Sequence, residues 1–140
     1  MRRLILDTNI LLDIFVFQDI KTQDLKQAII DRQIAVFASQ KTIAELADVI
    51  ARPIFGLELH QQNEIVEQWQ SLSQLQDDSS LPQAPWTCAD ADDQIFLDLA
   101  FQLKPAILVS KDNALLKLAS RAAKENILIT ANYDSFKIQA

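Results

Sequence analysis

Four short apolar runs constrain this chain more than any other feature. They lie within 2–6 (RLIL), 34–37 (IAVF), 106–110 (AILVS) and 127–130 (ILIT). A strand with one wet face alternates apolar and polar residues. A run that stays apolar suits a strand covered on both faces, as in a parallel sheet. Between the runs, apolar residues recur at helical spacing. Leu25, Ala28 and Ile29 do so within 23–32, and Ile43, Leu46, Ala47 and Ile50 within 40–51. Leu59, Ile65, Val66, Trp69 and Leu72 mark 58–75, and Ile95, Phe96, Leu99, Ala100 and Leu103 mark 92–103. Leu115, Leu116, Leu118, Ala119 and Ala122 mark 112–123, and a further helix begins at NILL after Asn9. Strands alternating with helices predict an α/β domain with a mainly parallel sheet. The 140 residues suit a single domain spanning 1–140.

Composition narrows the function classes. Gly56 is the only glycine, so there is no glycine-rich phosphate loop and no dinucleotide fingerprint. One cysteine, Cys88, allows neither an internal disulfide nor a thiolate zinc cage. No apolar run approaches the roughly 20 residues of a membrane span. Asp7 and Asn9 break the stretch behind Arg2 and Arg3, so no signal peptide is expected. The expected setting is a reducing cytoplasm without a membrane partner. The polar stretch 76–85, QDDSSLPQAP, is expected to be the least ordered.

Net charge is −6, which opposes tight binding to a phosphate backbone. The charge is unevenly spread. No Lys or Arg occurs from Pro53 to Leu103, where nine acids fall, whereas Lys104, Lys111, Lys117, Arg121 and Lys124 face only Asp112 over 104–124. An acidic part and a basic part suit a site that takes a cation together with a polyanion.

Ligands of open parallel sheets bind at the carboxyl ends of the strands. Asp7 follows the first run directly, and Asp112 follows the third by one residue, Lys111. Glu45 lies in the helix after IAVF, and Asp93 opens the helix before AILVS, at the end of the run CADADD. Four carboxylates from separate segments are thus expected on one rim. Gathered acids require a hard cation such as Mg²⁺ or Mn²⁺, or else raised pKa values. His60, the only histidine, falls in an acidic helix away from those ends, leaving no basis for Ser-His or Cys-His chemistry.

Each acid also has a plainer role. Asp7, Thr8 and Asn9 are good N-cap types, as are Asp112 and Asn113. Glu45 suits a solvated helix face, and Asp90, Asp92 and Asp93 suit the first turn of a helix. Lys117 and Arg121 suit a wet face as readily as a phosphate contact. Cys88, Trp69 and Trp86 read as packing residues.

Taken in order, ILDTNILLD, TIAELADVIARPIF, CADADDQIFLDLA and LVSKDNALLKL resemble the PIN domain. More narrowly, they resemble the VapC-like branch described as toxin components of toxin–antitoxin systems. The resemblance runs from Leu4 to about Phe136. It implies a three-layer α/β/α sandwich that cleaves RNA with Mg²⁺ or Mn²⁺. The family's four acids fall on Asp7, Glu45, Asp93 and Asp112, with Asn9, Asp90 and Ser110 at supporting positions. A homodimer and an inhibitory antitoxin follow from the same resemblance, with the acidic span Glu58 to Asp98 as the antitoxin's landing surface. Two positions depart from the pattern. Lys111 stands where Gly commonly precedes the last acid, and Ala91 stands where Pro is common. A lysine at 111 can reach an RNA phosphate or pair with the acids. The alternatives are a silent PIN-like binding module and a receiver-like signalling domain.

Overall fold

A computed structural model describes residues 2–137. Five strands, β1 (Arg3–Leu6), β2 (Ala35–Ser39), β3 (Ser73–Gln76), β4 (Ala106–Val109) and β5 (Ile127–Thr130), form one sheet in the order β3-β2-β1-β4-β5. Every pairing is parallel. The helices are α1 (Thr8–Phe15), α2 (Gln23–Ile30), α3 (Gln40–Ile50), α4 (Leu59–Leu72), α5 (Gln94–Leu103), α6 (Asn113–Leu116) and α7 (Ala119–Ala123). Among the described residues no helix is long and apolar enough to cross a membrane.

The three layers follow from the two-residue period of the strands. Leu4, Leu6, Val36, Ala38, Ile107 and Val109 pack with Leu11, Leu25, Leu46 and Trp69 of α1 to α4 on one face. Ile5, Phe37, Leu108, Ile127 and Ile129 pack with Phe96, Leu99, Leu115 and Ala122 on the other. The result is the expected α/β/α sandwich. Cys88 is buried with the second group, Trp69 with the first, and Trp86 packs edge-on against Phe101.

Two segments differ from the sequence expectation. The helix expected over 58–75 stops at Leu72, and Ser73–Gln76 becomes β3. Ser73 ends the helix: its hydroxyl and its N–H both donate to the Trp69 carbonyl while its ψ swings to 155°. The helix expected over 112–123 is two short helices. Leu118 N–H reaches back only three residues, to the Leu115 carbonyl, and α7 starts afresh. The stretch 76–85 begins on the last residue of β3, forms one 3-10 turn at Asp78–Ser80, and is tied at both ends. Lys41 N–H donates to Asp78 and Ala84 N–H donates to Asp98.

The chain runs leftward from β1 to β2 and β3, then returns to build β4 and β5 on the right. The order therefore reverses between β1 and β4, where a crevice opens beyond the strand ends. A receiver domain has its sheet in the order 2-1-3-4-5. The order here separates this chain from that alternative.

Helix α3 begins on a capping box. Ser39 Oγ accepts from Thr42 N–H, and Thr42 Oγ1 accepts from Ser39 N–H. Ser39 is fully buried. Ser39→Ala is expected to lower stability by about 1 kcal/mol in urea unfolding, the usual size of a lost N-cap.

Candidate metal centre

The register of the sheet builds this site. Leu6 pairs with Val109, so the next residues, Asp7 and Ser110, leave the sheet side by side. Asp7 N–H still donates to the Val109 carbonyl, which extends the ladder by one bond. Asp7 is only 2% exposed. Its Oδ1 accepts from Ile10 N–H at 3.0 Å, capping α1, and its Oδ2 accepts from the Ser110 hydroxyl. Capping and site duty coexist in this one carboxylate.

Asp112 repeats the arrangement on β4. Its Oδ1 accepts from Ala114 N–H at 2.8 Å, capping α6, and its own N–H donates to Ser110 Oγ at 3.0 Å. Ser110 thus links the two strand ends by donating to Asp7 and accepting from the Asp112 backbone.

From the segment before α5 come Asp90, which caps the turn Ala91–Asp93, and Asp93, which ends it. Helix α5 runs back to the start of β4, so its first turn lies at the carboxyl ends of the strands. Asp90, Asp93 and Asp112 each offer a carboxylate oxygen, and the three oxygens lie within 4.8 Å of one another. Glu45 approaches along α3, and its Oε2 accepts from Thr8 Oγ1 at 2.6 Å. The structure thus brings Asp7, Asp93, Asp112 and Glu45 to one rim, with Asp90 and Ser110 among them. Asn9 is exposed on the first turn of α1. Lys117 and Arg121 are exposed on or beside α6 and α7.

Lys111 does not turn toward these acids. Its ammonium pairs with Asp13 Oδ2 at 2.5 Å, and that same oxygen accepts from the Tyr133 hydroxyl at 2.7 Å. Sequence reasoning passed over Asp13 and Tyr133. The available signal was an acid between Leu12 and Ile14 in an otherwise apolar helix, because a buried carboxylate needs a partner. Thr8 was read only as a capping residue; its contact with Glu45 depends on how α3 docks.

The electrostatics show strain among like charges. Burial pushes the Asp7 carboxyl up to about 6, and its hydrogen bonds from Ser110 and Ile10 only partly offset that; Asp112 and Glu45 add repulsion. Asp93 is raised by burial and by its contact with the Asp112 carboxyl, and Asp112 is lowered by that contact. Without a cation the two carboxyls stand against each other as like charges. Asp93 Oδ2 is buried and has no hydrogen-bond partner. A partnerless carboxylate oxygen beside two further acids is the donor set that Mg²⁺ and Mn²⁺ take. The residues present fit such an ion.

An open groove of about 610 Å³ runs from Glu45 between α3 and the start of α5, lined in part by Lys41, Asp48, Arg52, Asp92 and Asp98. His60, in the first turn of α4, pairs with Glu58 at 3.2 Å and takes no part in the rim.

Comparison with known proteins turns on the same segments. A family model described as PIN domain matches residues 3–114. No curated protein matches the chain. The matched span runs from β1 into α6 and takes in all of Asp7, Glu45, Asp90, Asp93 and Asp112, so the chain belongs to the PIN-domain family, whose members are generally nucleases working with divalent metal ions.

Proposed function

We propose that this PIN domain is an Mg²⁺- or Mn²⁺-dependent endoribonuclease and the toxin of a toxin–antitoxin pair. The observation that carries the nuclease reading is the convergence of Asp90, Asp93 and Asp112 oxygens within 4.8 Å, beside a buried Asp7. Asp90, Asp93 and Asp112 would hold the ion, with Asp7 beside it and Glu45 at its margin. A bound divalent ion lowers the pKa of a coordinated water and offsets charge on the phosphate oxygens. The chain's own residues supply the rest. Ser110 fixes the Asp7 carboxylate by donating to Oδ2, and Thr8 fixes Glu45 in the same way. Glu45, held by Thr8 and outside that trio, is left to orient a water toward a phosphodiester.

The binding of a polyanion by a protein of net charge −6 requires local cations. Exposed Lys117 and Arg121 would supply some of them, and Lys41 and Arg52 line the groove that runs from Glu45. Replacing Lys117 and Arg121 together by Ala is expected to weaken RNA binding. It should also flatten the plot of log affinity against log salt by about 1.4, roughly 0.7 for each lost single-strand contact. Filter binding across a salt series measures both, and an unchanged slope would remove that surface from the RNA path.

The toxin assignment rests on the ordered segments that resemble that branch of the family. The acidic surface offers the antitoxin a landing site. Glu64 and Glu67 are exposed on α4, and apolar Ile54 and Leu59, 85% and 70% exposed, stand at its edge. A silent binding module would need the rim disabled. Lys111, the residue that raised that alternative, is engaged by Asp13.

The proposal is tested by incubating the protein with a mixed pool of tRNA and single-stranded RNA in Mn²⁺, in Mg²⁺ and with EDTA. Cutting that needs the metal supports it. Absence of cutting together with absence of Mn²⁺ binding in calorimetry would overturn it.

A further inference from the structure

We infer that Lys111 is a positioning residue: with Asp13 and Tyr133 it clamps the strand-end turn that carries Ser110 and Asp112 against α1. This inference rests on the nuclease reading for what the clamp does to metal and substrate, but not for the clamp itself. Three remote segments meet there. Asp13 lies on α1, six residues after Asp7 caps the same helix. Lys111 lies between Ser110 and Asp112, and Tyr133 lies beyond β5. The Asp13 residue is 7% exposed, and its Oδ2 receives both Lys111 Nζ at 2.5 Å and Tyr133 Oη at 2.7 Å.

These contacts close a ring. Ser110 Oγ donates to Asp7, Asp7 caps α1, α1 carries Asp13, and Asp13 holds Lys111, the covalent neighbour of Ser110. A turn held only by Ser110 could pivot about that hydroxyl. A second attachment one residue later removes the pivot and fixes the separation of Asp7 from Asp112. Asp13 would otherwise be a buried carboxylate without a countercharge, so the pair is also the condition on which α1 can bury that residue. The same contact accounts for a lysine beside an acidic rim, where it would otherwise pair with Asp112 or reach into solvent.

An RNA-contact role for Lys111 makes the opposite forecast for Asp13. If the lysine served a phosphate, Asp13→Asn would free it and RNA binding would hold or tighten. If it serves the clamp, Asp13→Asn and Lys111→Met cause the same loss.

The test uses the full chain as wild type, Lys111→Met, Asp13→Asn, the double variant and Lys111→Arg, each checked for cooperative unfolding. Amide hydrogen exchange is read at Asp112 and Ala114, whose N–H groups donate to Ser110 Oγ and Asp112 Oδ1. Both single variants should exchange there about tenfold faster, and the double variant no faster than either, because they break one unit. Mn²⁺ affinity should fall about tenfold in parallel, the lower end of what outer supports of a metal site contribute. RNA turnover should fall in kcat with KM nearly unchanged, and Lys111→Arg should restore all three.

Unchanged exchange at Asp112 and Ala114 in Lys111→Met would overturn the clamp even if the protein proves an active nuclease. A loss confined to KM and salt dependence would overturn it in favour of phosphate contact. Faster exchange in a protein that binds no Mn²⁺ would support the clamp and overturn the nuclease reading instead.

Discussion

Asp7→Asn is expected to abolish RNA cleavage while making the metal-free protein more stable at neutral pH. The two effects share one cause. Asp7 is buried, and its carboxyl is pushed up to about 6 from the ordinary 3.8. An acid whose folded pKa is raised binds its proton more tightly in the fold than in the unfolded chain. Stability therefore falls as pH rises from about 4 to about 6, and the full cost persists above that. Its ceiling is about 3 kcal/mol, from roughly two pKa units at 1.36 kcal/mol each. Asn keeps an oxygen for Ile10 N–H and carries no charge. Urea unfolding in EDTA at pH 7.5 should thus show Asp7→Asn more stable by about 1–3 kcal/mol, with the gain vanishing near pH 4. Added Mn²⁺ should reverse the ranking, since binding to the folded state alone raises stability by mass action. Cleavage should fall at least about a hundredfold, roughly 3 kcal/mol of lost barrier lowering. A variant that is less stable than wild type in EDTA at pH 7.5 would show that Asp7 is a structural cap and no more.

Asp93→Asn carries the second large effect, and it isolates metal binding from capping. Asp93 makes no side-chain cap, whereas Asp7 and Asp112 both do. Its Oδ2 is buried without a partner, and its pKa is raised by burial and by Asp112. Removing its charge relieves the like-charge contact with Asp112 and deletes one anionic ligand. Calorimetry should show Mn²⁺ affinity reduced about a hundredfold, with thermal unfolding in EDTA no lower than wild type. Asp112→Asn should weaken binding as well while leaving α6 capped, because Asn caps as well as Asp. Equal Mn²⁺ affinity for wild type and Asp93→Asn would remove Asp93 from the ligand set.

The legible and illegible parts of this chain divide on physical lines. Strands β1, β2 and β4 were visible because burial on both faces forces an unbroken apolar run, and edge strand β5 was visible because Ile127 and Ile129 are buried and Leu128 between them is apolar. β3, with sequence SQLQ, was hidden because none of its four residues is fully buried, so three of them are polar. The break between α6 and α7 was hidden because Leu115, Leu118 and Ala122 keep helical spacing across it. The change lies in one backbone bond at Leu118.

The rim acids were legible for a different reason. Asp7 and Asp112 sit at the ends of the two strands that flank the reversal of sheet order, and strand ends can be read from pattern alone. What pattern did not reveal is pairing across the chain. Asp13 and Tyr133 are 120 positions apart and Thr8 and Glu45 are 37 apart. Only the docking of α1, α3 and the segment after β5 brings them together. Lys111 shows the consequence. Judged from its neighbours, it belonged either to the acids or to RNA, yet it is held by a residue on another helix.

The central claim is that these acids hold a divalent ion where RNA is cut, and locating that ion tests it most directly. Crystals soaked in Mn²⁺ and measured for anomalous scattering should show density bounded by the carboxylates of Asp90, Asp93 and Asp112 and beside Asp7, absent from crystals of Asp93→Asn. Density confined to another acidic patch, such as Asp48 and Asp92 in the groove, in a protein that cuts RNA with Mn²⁺, would contradict the account.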